Sequence, residues 1–426
     1  MKTLKKILQV SLLIMLFIAC SNDDEHSLNP TIANISPTSG PKTTIVTING
    51  QDFGTDVNAV NVYFNDVEAS VQMVTDTQIT VEVPAKSFTG LVKVISNGKT
   101  LTRLEFTYTI SDVQVTTFAG STQGYTDGKI TTAKFFLPFG VAIDTDGNVY
   151  VIDKHKIRKI TPNREVSTLA GSTEGFLDDL GINAQFNEPK GLAIDSENNI
   201  YIADTFNHKI RKITPDGMVT TFAGSTEGFS EGIGVSSQFS FPNGIAVDSE
   251  DNIYVADVGN HRIRKITPFG VVSTLAGSTS GFADGTGSAA QFQRPTGVAV
   301  DSKNNIYVTD TFNFRIRKVT PLGMVSTLTV NNKGGVGSFV QFSRPRGIVV
   351  DSKNNIYVTE IDTDRILKIT PLSRVSTLAG GVVRGFEDGT ASVAKFNYPL
   401  GLAVDSEDNV YVADVNNYKI RKITQE

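Results

Sequence analysis

The sequence predicts an all-β protein: a β-sandwich followed by a six-bladed β-propeller that an N-terminal strand closes. Three observations carry the prediction. A unit typified by residues 239–278 recurs to the C-terminus, and the glycines of its P-x-G element, Gly140, Gly191, Gly244, Gly297, Gly347 and Gly401, are 51, 53, 53, 50 and 54 residues apart. Such a period marks a stacked or closed array, in which one supersecondary unit buries its faces against copies of itself. Each copy divides into four short extended runs. Ahead of the array, residues 30–109 alternate apolar and polar side chains in short runs broken by turn residues, the pattern of a sandwich.

Within the typical copy, residues 242–248 begin extended, Ser249-Glu250-Asp251-Asn252 supplies turn chemistry, and residues 253–257 run back. Val258-Gly259-Asn260 turns into a third strand at 261–267, and Pro268-Phe269-Gly270 into a fourth at 271–276. Four strands per repeat make a propeller blade. Ile253 and Val255 are apolar on one face of the second strand, Tyr254 and Ala256 on the other, so both faces need cover from neighbouring blades. The last copy stops at Lys422-Ile423-Thr424 without a fourth strand, while an unpaired run, 115–120, precedes the first copy. That early strand is expected to complete the last blade and leave no open edge.

In the first domain, I-x-P-x-S-G at 35–40, I-N-G-Q-D-F-G at 48–54, V-Y-F at 62–64 and D-T-Q-I-T-V-E-V-P at 76–84 resemble the IPT/TIG family, which implies an Ig-like β-sandwich used as a spacer or a partner-binding module. Spacer is the favoured expectation. The N-H-K-I of residues 207–210 and N-H-R-I of 260–263 resemble the NHL-repeat family of β-propellers, and the likeness extends over 113–426. Some copies depart from it. His155 follows Lys154 in a turn two residues shorter, Phe314, Asp364 and Tyr418 replace the histidine, and Leu367 replaces the arginine of I-R-K.

At the N-terminus, Lys2, Lys5 and Lys6 precede an apolar run, 7–19, too short to span a bilayer, which reads as an export signal. Cys20 is the only cysteine, so no internal disulfide can form. Ala19-Cys20 resembles the lipobox of bacterial lipoproteins, implying cleavage before Cys20 and lipid on its thiol, with ordinary cleavage or an uncleaved anchor as alternatives. Ser21-Asn22-Asp23-Asp24-Glu25 resembles the export tag of Bacteroidota lipoproteins, implying an outer-membrane lipoprotein displayed at the cell surface; a solvated linker is the alternative. The expected layout is signal peptide 1–19, acidic linker 20–29, Ig-like domain 30–110 and propeller 113–426. Cleavage removes three lysines and changes the formal charge from −5 to −8. A nucleic-acid partner, which needs a basic face, is excluded on that balance.

Chemistry can reside in side chains that recur or in side chains that vary. His155, His208 and His261 occupy equivalent positions; they suit a packing or turn role better than a zinc centre, because equivalent positions lie around a ring and need not converge. A carboxylate ends every second strand (Asp153, Asp204, Asp257, Asp310, Glu360, Asp414) and every first strand (Asp144, Asp195, Asp248, Asp301, Asp351, Asp405). Each is expected to accept N–H groups of the turn that follows it, with Ca²⁺ binding the alternative. Function belongs where copies differ. Between Pro and Gly stand Phe139, Lys190, Asn243, Thr296, Arg346 and Leu400, expected at the mouth of the central channel. The turn between second and third strands offers Phe206, Phe312 and Asp362, then Asp364 and Tyr418.

No nucleophile elbow, H-E-x-x-H motif or phosphate-cradling loop occurs. The favoured expectation is therefore a surface-anchored binding protein without cofactor, touching membrane through its lipid only and recognising an extracellular glycan or envelope protein on one rim. The alternative is a metal-dependent lyase or hydrolase with Ca²⁺ or Zn²⁺ at the channel, as in some propellers that resemble this one.

Overall fold

The structure is a computed structural model that describes residues 29–425 except 86, 88, 109–112, 330–340 and 382. The export signal, Cys20, the acidic residues after it and residues 330–337, where the A-G-S-T-x-G-F run found after most blades is replaced, lie outside the described residues. The chain divides between 111 and 112 into two compact units. In the first, eight strands from Thr31–Ser36 to Lys99–Tyr108 form one continuous hydrogen-bonded series that folds over a core including Val46, Ile48, Phe64, Val81, Val94 and Phe106. Phe64 and Phe106 meet edge to face at 5.0 Å.

The second unit is the expected six-bladed propeller. Its blades begin with innermost strands Pro138–Ile143, Gly191–Ile194, Pro242–Val247, Pro295–Val300, Pro345–Val350 and Pro399–Val404. These six strands contact one another in cyclic order. All five residues of each second strand, such as Ile253–Asp257, are buried. The two-sided apolar pattern explains why: Ile253 and Val255 pack with Tyr201 and Ala203 of blade 2, while Tyr254 and Ala256 pack with Ile306 and Val308 of blade 4. Closure is also as expected, since Gln114–Ala119 pairs antiparallel with Lys419–Thr424 and supplies the fourth strand of blade 6.

One expectation needs correction. The carboxylates of the second strands do not take their backbone N–H bonds from the following turn. They take them from the segment leading into their own innermost strand: Asp257 accepts from Ser240 N at 2.8 Å, Asp204 from Asn187 at 2.8 Å and Glu360 from Ser343 at 2.7 Å. The following turn contributes a side chain instead, Asn260 Nδ2 donating to Asp257 at 2.8 Å. In five blades the same carboxylate also pairs with a fully buried arginine of the third strand, as Arg264 does with Asp257 at 2.9 Å and Arg211 with Asp204 at 2.7 Å. Solvent cannot reach these acids, so burial obliges them to gather all the donors within reach. The first-strand carboxylates behave as expected. Asp248 accepts from Glu250 N and Asn252 N, both at 2.9 Å, and Tyr254 Oη donates to it at 2.9 Å.

The buried arginine explains the recurrent G-F runs. Arg264 lies between the rings of Phe229 and Phe239, 4.9 and 5.1 Å away, and donates to the carbonyls of Gln238 and Ser230. Blade 5 omits the arrangement as a set. Leu367 stands for the arginine, the longer Glu360 reaches Arg365 at 2.5 Å instead, and the sequence leading into that blade lacks the G-F-x-D stretch.

Two outcomes follow. Deleting residues 113–121 exposes the edge of Lys419–Thr424 and is expected to lower the propeller's thermal midpoint by about 10 °C or more, whereas deleting 30–110 leaves it within about 2 °C; equal shifts in the two melts refute closure as the stabilising device. Arg264→Leu strands Asp257 without its guanidinium and is expected to cost about 3–5 kcal/mol in denaturant titrations. Adding Asp257→Glu, which copies blade 5 by reaching toward Arg262, is expected to recover part of that loss.

Candidate functional site

A proline buried behind the mouth of the channel opens each innermost strand or, in blade 2, stands two residues before it, and the next residue faces the axis. The strands approach so closely there that only glycine fits after it: a β-carbon at Gly191 would lie 2.2 Å from the Asn243 carbonyl oxygen, and one at Gly347 would lie 2.0 Å from that of Leu400. This packing gathers all six residues that differ between Pro and Gly around one cavity of about 310 Å³. Phe139, Lys190, Asn243, Thr296, Arg346 and Leu400 line it together with Tyr398. The volume is at the small end of the range for small-molecule sites.

The lining is divided by chemistry. Phe139 and Leu400 make an apolar sector on adjacent blades 1 and 6. The ammonium of Lys190 lies 3.6 Å from the Phe139 ring centroid and 3.1 Å from a Glu188 carboxylate oxygen. Burial lowers its pKa, against the pull of Glu188. Arg346, three blades away and so across the ring, is also partly buried, and burial lowers its pKa in the same sense. Thr296 is 3% exposed and its hydroxyl is engaged by Thr311 at 2.6 Å and Thr309 at 3.1 Å, so it shapes the wall rather than offering a free group.

The remaining sequence-selected residues do not line the cavity. Phe206 sits on the same rim, half exposed, edge to face with Phe241 at 5.6 Å. Phe312 lies beneath the guanidinium groups of Arg294 and Arg344, at 5.4 and 5.9 Å. Asp362 pairs with Arg344 at 3.3 Å. Tyr418 occupies left-handed backbone, φ 58°, at the end of its turn. Asp364 is 3% exposed, and it accepts from Tyr398 N at 2.7 Å and from Arg384 Nε at 2.8 Å.

That contact of Asp364 shows what the histidines do. His155, His208 and His261 each accept at Nδ1 the backbone N–H of the residue before proline in the next blade: Glu188 at 3.2 Å, Phe241 at 3.2 Å and Arg294 at 3.1 Å. They staple blade to blade and lie apart. Among the described residues no three His, Cys, Asp or Glu side chains are grouped to hold a metal ion. Tyr398 stands before proline, outside both the position after proline and the turn that the sequence singled out. The position before proline varies as much, with Leu137, Glu188, Phe241, Arg294, Arg344 and Tyr398.

Burial holds all three imidazoles below the ordinary value of 6.5, as the staple requires, since an Nδ1 that accepts carries no proton. The folded pKa is depressed, so stability from these groups is present above about pH 6.5 and lost as pH falls toward the folded value. Thermal melts are expected to drop between pH 7.5 and 5.5, by on the order of 1 kcal/mol for each staple broken. Replacing the three histidines with asparagine is expected to flatten that dependence, and an unchanged slope would refute the staple.

Residues 30–110 match the IPT/TIG domain family, and residues 186–213, 239–266, 292–319 and 396–423 match the NHL repeat. The four matched repeats belong to blades 2, 3, 4 and 6; blade 1 has the short turn, and blade 5 has Leu367 and Glu360. Among relatives, the chloroplastic protein SUPPRESSOR OF QUENCHING 1 of Arabidopsis thaliana is 28% identical over 326 residues, 71% of this chain and 26% of that protein. The NHL repeat-containing protein 2 of Bos taurus is 37% identical over 95 residues, 21% of this chain and 13% of that protein. The chain thus spans about a quarter or less of the length of these relatives. Among solved structures, a Bacteroides thetaiotaomicron protein of unknown function aligns at TM-score 0.67 and 23% identity, covering 93% of this chain and 98% of that one. An auxiliary nutrient binding protein of the same organism aligns at 0.57 and 19%, with the same coverage, and a Xanthomonas campestris gluconolactonase at 0.51 and 12%, covering 74% of this chain and 91% of that one. At these identities the structural likeness is one of fold. The chain carries an IPT/TIG domain followed by a six-bladed β-propeller that contains NHL repeats.

Proposed function

We propose that this chain is a surface-anchored extracellular binding protein, tethered by lipid at Cys20 with the Ig-like domain as spacer, that recognises a glycan or envelope protein at the mouth of the propeller channel. One observation carries the reading. Side chains that recur in the blades are consumed by the scaffold, whereas the six that vary after proline converge on a single cavity. A surface that differs blade by blade can recognise an asymmetric ligand, and a mixed lining of aromatic, apolar, amide and cationic groups suits one with polar and apolar faces. A shared fold with an auxiliary nutrient binding protein supports a binding role by analogy.

The shared fold with a gluconolactonase favours a second reading, a hydrolase acting at the same channel. Stoichiometric tightly held Ca²⁺ or Zn²⁺ with turnover of a lactone would support it, and a metal-free preparation that binds ligand supports binding.

Asn243→Trp fills the cavity from its polar side. It is expected to weaken capture at least tenfold, both on a glycan array and in pull-downs from intact cells, with the thermal midpoint within about 2 °C of wild type. Phe269→Asp, at an exposed turn on the opposite rim, is expected to leave capture unchanged. Capture that survives Asn243→Trp sinks the assignment to the channel mouth.

A further inference from the structure

Resting on the reading of the channel mouth as a binding site, we propose that its ligand is an organic acid of one or two sugar rings, with the carboxylate seated on Arg346. The sign of the charge argues for it first. The whole chain is acidic, with a formal charge of −5, yet the residues lining the cavity include two cations, Lys190 and Arg346, and no carboxylate. Around Arg346 the cations accumulate, because Arg294 and Arg344 stand close enough to add to its charge.

The two lining cations are not equivalent. Lys190 already has Glu188 at 3.1 Å and the Phe139 ring beneath it. Arg346 has no ion-pair partner among the described residues; its Nε is buried without a hydrogen-bond acceptor, as are those of Arg158, Arg264 and Arg317, but those three each bond a carboxylate through another guanidinium nitrogen. Asp362, the carboxylate whose charge acts on it, is bonded to Arg344 at 3.3 Å. The other buried guanidinium groups of this fold, such as Arg264 and Arg211, each have a buried aspartate. A partly desolvated guanidinium facing a cavity without a counter-ion is a preformed receptor for a planar oxyanion, which it can engage with two parallel N–H donors. The cavity of about 310 Å³ limits the ligand to one or two rings, and Phe139 and Leu400 offer the opposite sector to an apolar ring face.

The test is calorimetry on the full mature chain with three probes: glucuronate, glucose, and a disaccharide ending in glucuronate. Both acids are expected to bind at least tenfold more tightly than glucose, with the difference shrinking as salt is raised. A tighter disaccharide points to the end of an acidic glycan, and equal affinities point to the free acid; either supports the proposal. Arg346→Gln is expected to abolish the preference for acid. Lys190→Gln, which removes a cation that already has a partner, is expected to reduce it less, and Arg344→Gln, which removes a neighbouring charge and releases Asp362, is expected to weaken it without abolishing it; thermal melts of all three report whether the fold is intact. Equal binding of glucose and glucuronate, with both lost in Asn243→Trp, overturns the acid assignment and leaves the mouth as a binding site. Glucuronate binding that Asn243→Trp does not weaken overturns the site as well. No binding of any probe, or an undiminished preference in Arg346→Gln, overturns the acid assignment.

Discussion

The contact on which the propeller depends is the buried pairing of a third-strand arginine with the carboxylate that ends the second strand. In blade 3, Asp257 faces Arg264 and also receives the N–H of Ser240, so one desolvated acid ties two strands to the segment entering the innermost strand. The arginine in turn fixes the outer loop through the carbonyls of Gln238 and Ser230 and through two phenylalanine rings. A buried ion pair adds little stability over an apolar substitute, but it tolerates few geometries, because removing any donor leaves charge uncompensated. That intolerance suits a scaffold that must deliver the start of each innermost strand to the same place.

From this arrangement the site follows. The pinned segment hands the chain to proline, the glycine after next lets the neighbouring carbonyl approach, and the residue between them faces the channel. Because the frame is set elsewhere, that residue can be Phe139, Lys190, Asn243 or Arg346 without disturbing the blade. Thr296 is the exception, its hydroxyl drawn into a cluster with Thr309 and Thr311. Blade 5 shows that the frame itself can be rewired, since Glu360 uses its extra methylene to reach Arg365 when Leu367 takes the arginine's place.

Much of this was legible in the residues. The period, the four runs per copy and the missing last strand led to six blades and their closure, because burial on both faces leaves an unbroken apolar run in each second strand and a propeller repeats it. Asp248 could be assigned from its own turn, since its donors lie two and four residues away. Asp257 could not, because its backbone donor is 17 residues upstream and its arginine is across a strand pair. The packing role expected of the histidines takes its form from an acceptor contact toward Glu188, Phe241 and Arg294 that depends on how one blade meets the next.

What the sequence determined alone was the scaffold: the repeat, its strands, its ring and the six positions at which copies differ. Those are written locally, in turn residues and alternation that each blade carries within about fifty residues. The tertiary structure decided which varying residues share a cavity. It drew the set after proline together with Tyr398, left Phe206, Phe312, Asp362 and Tyr418 on the rim outside it, and consumed Asp364 as a staple. It also decided that Lys190 has an acidic partner and Arg346 has none among the described residues. The physical reason is that partners around the channel come from different blades, so their distances are set by ring closure and not by any spacing along the chain.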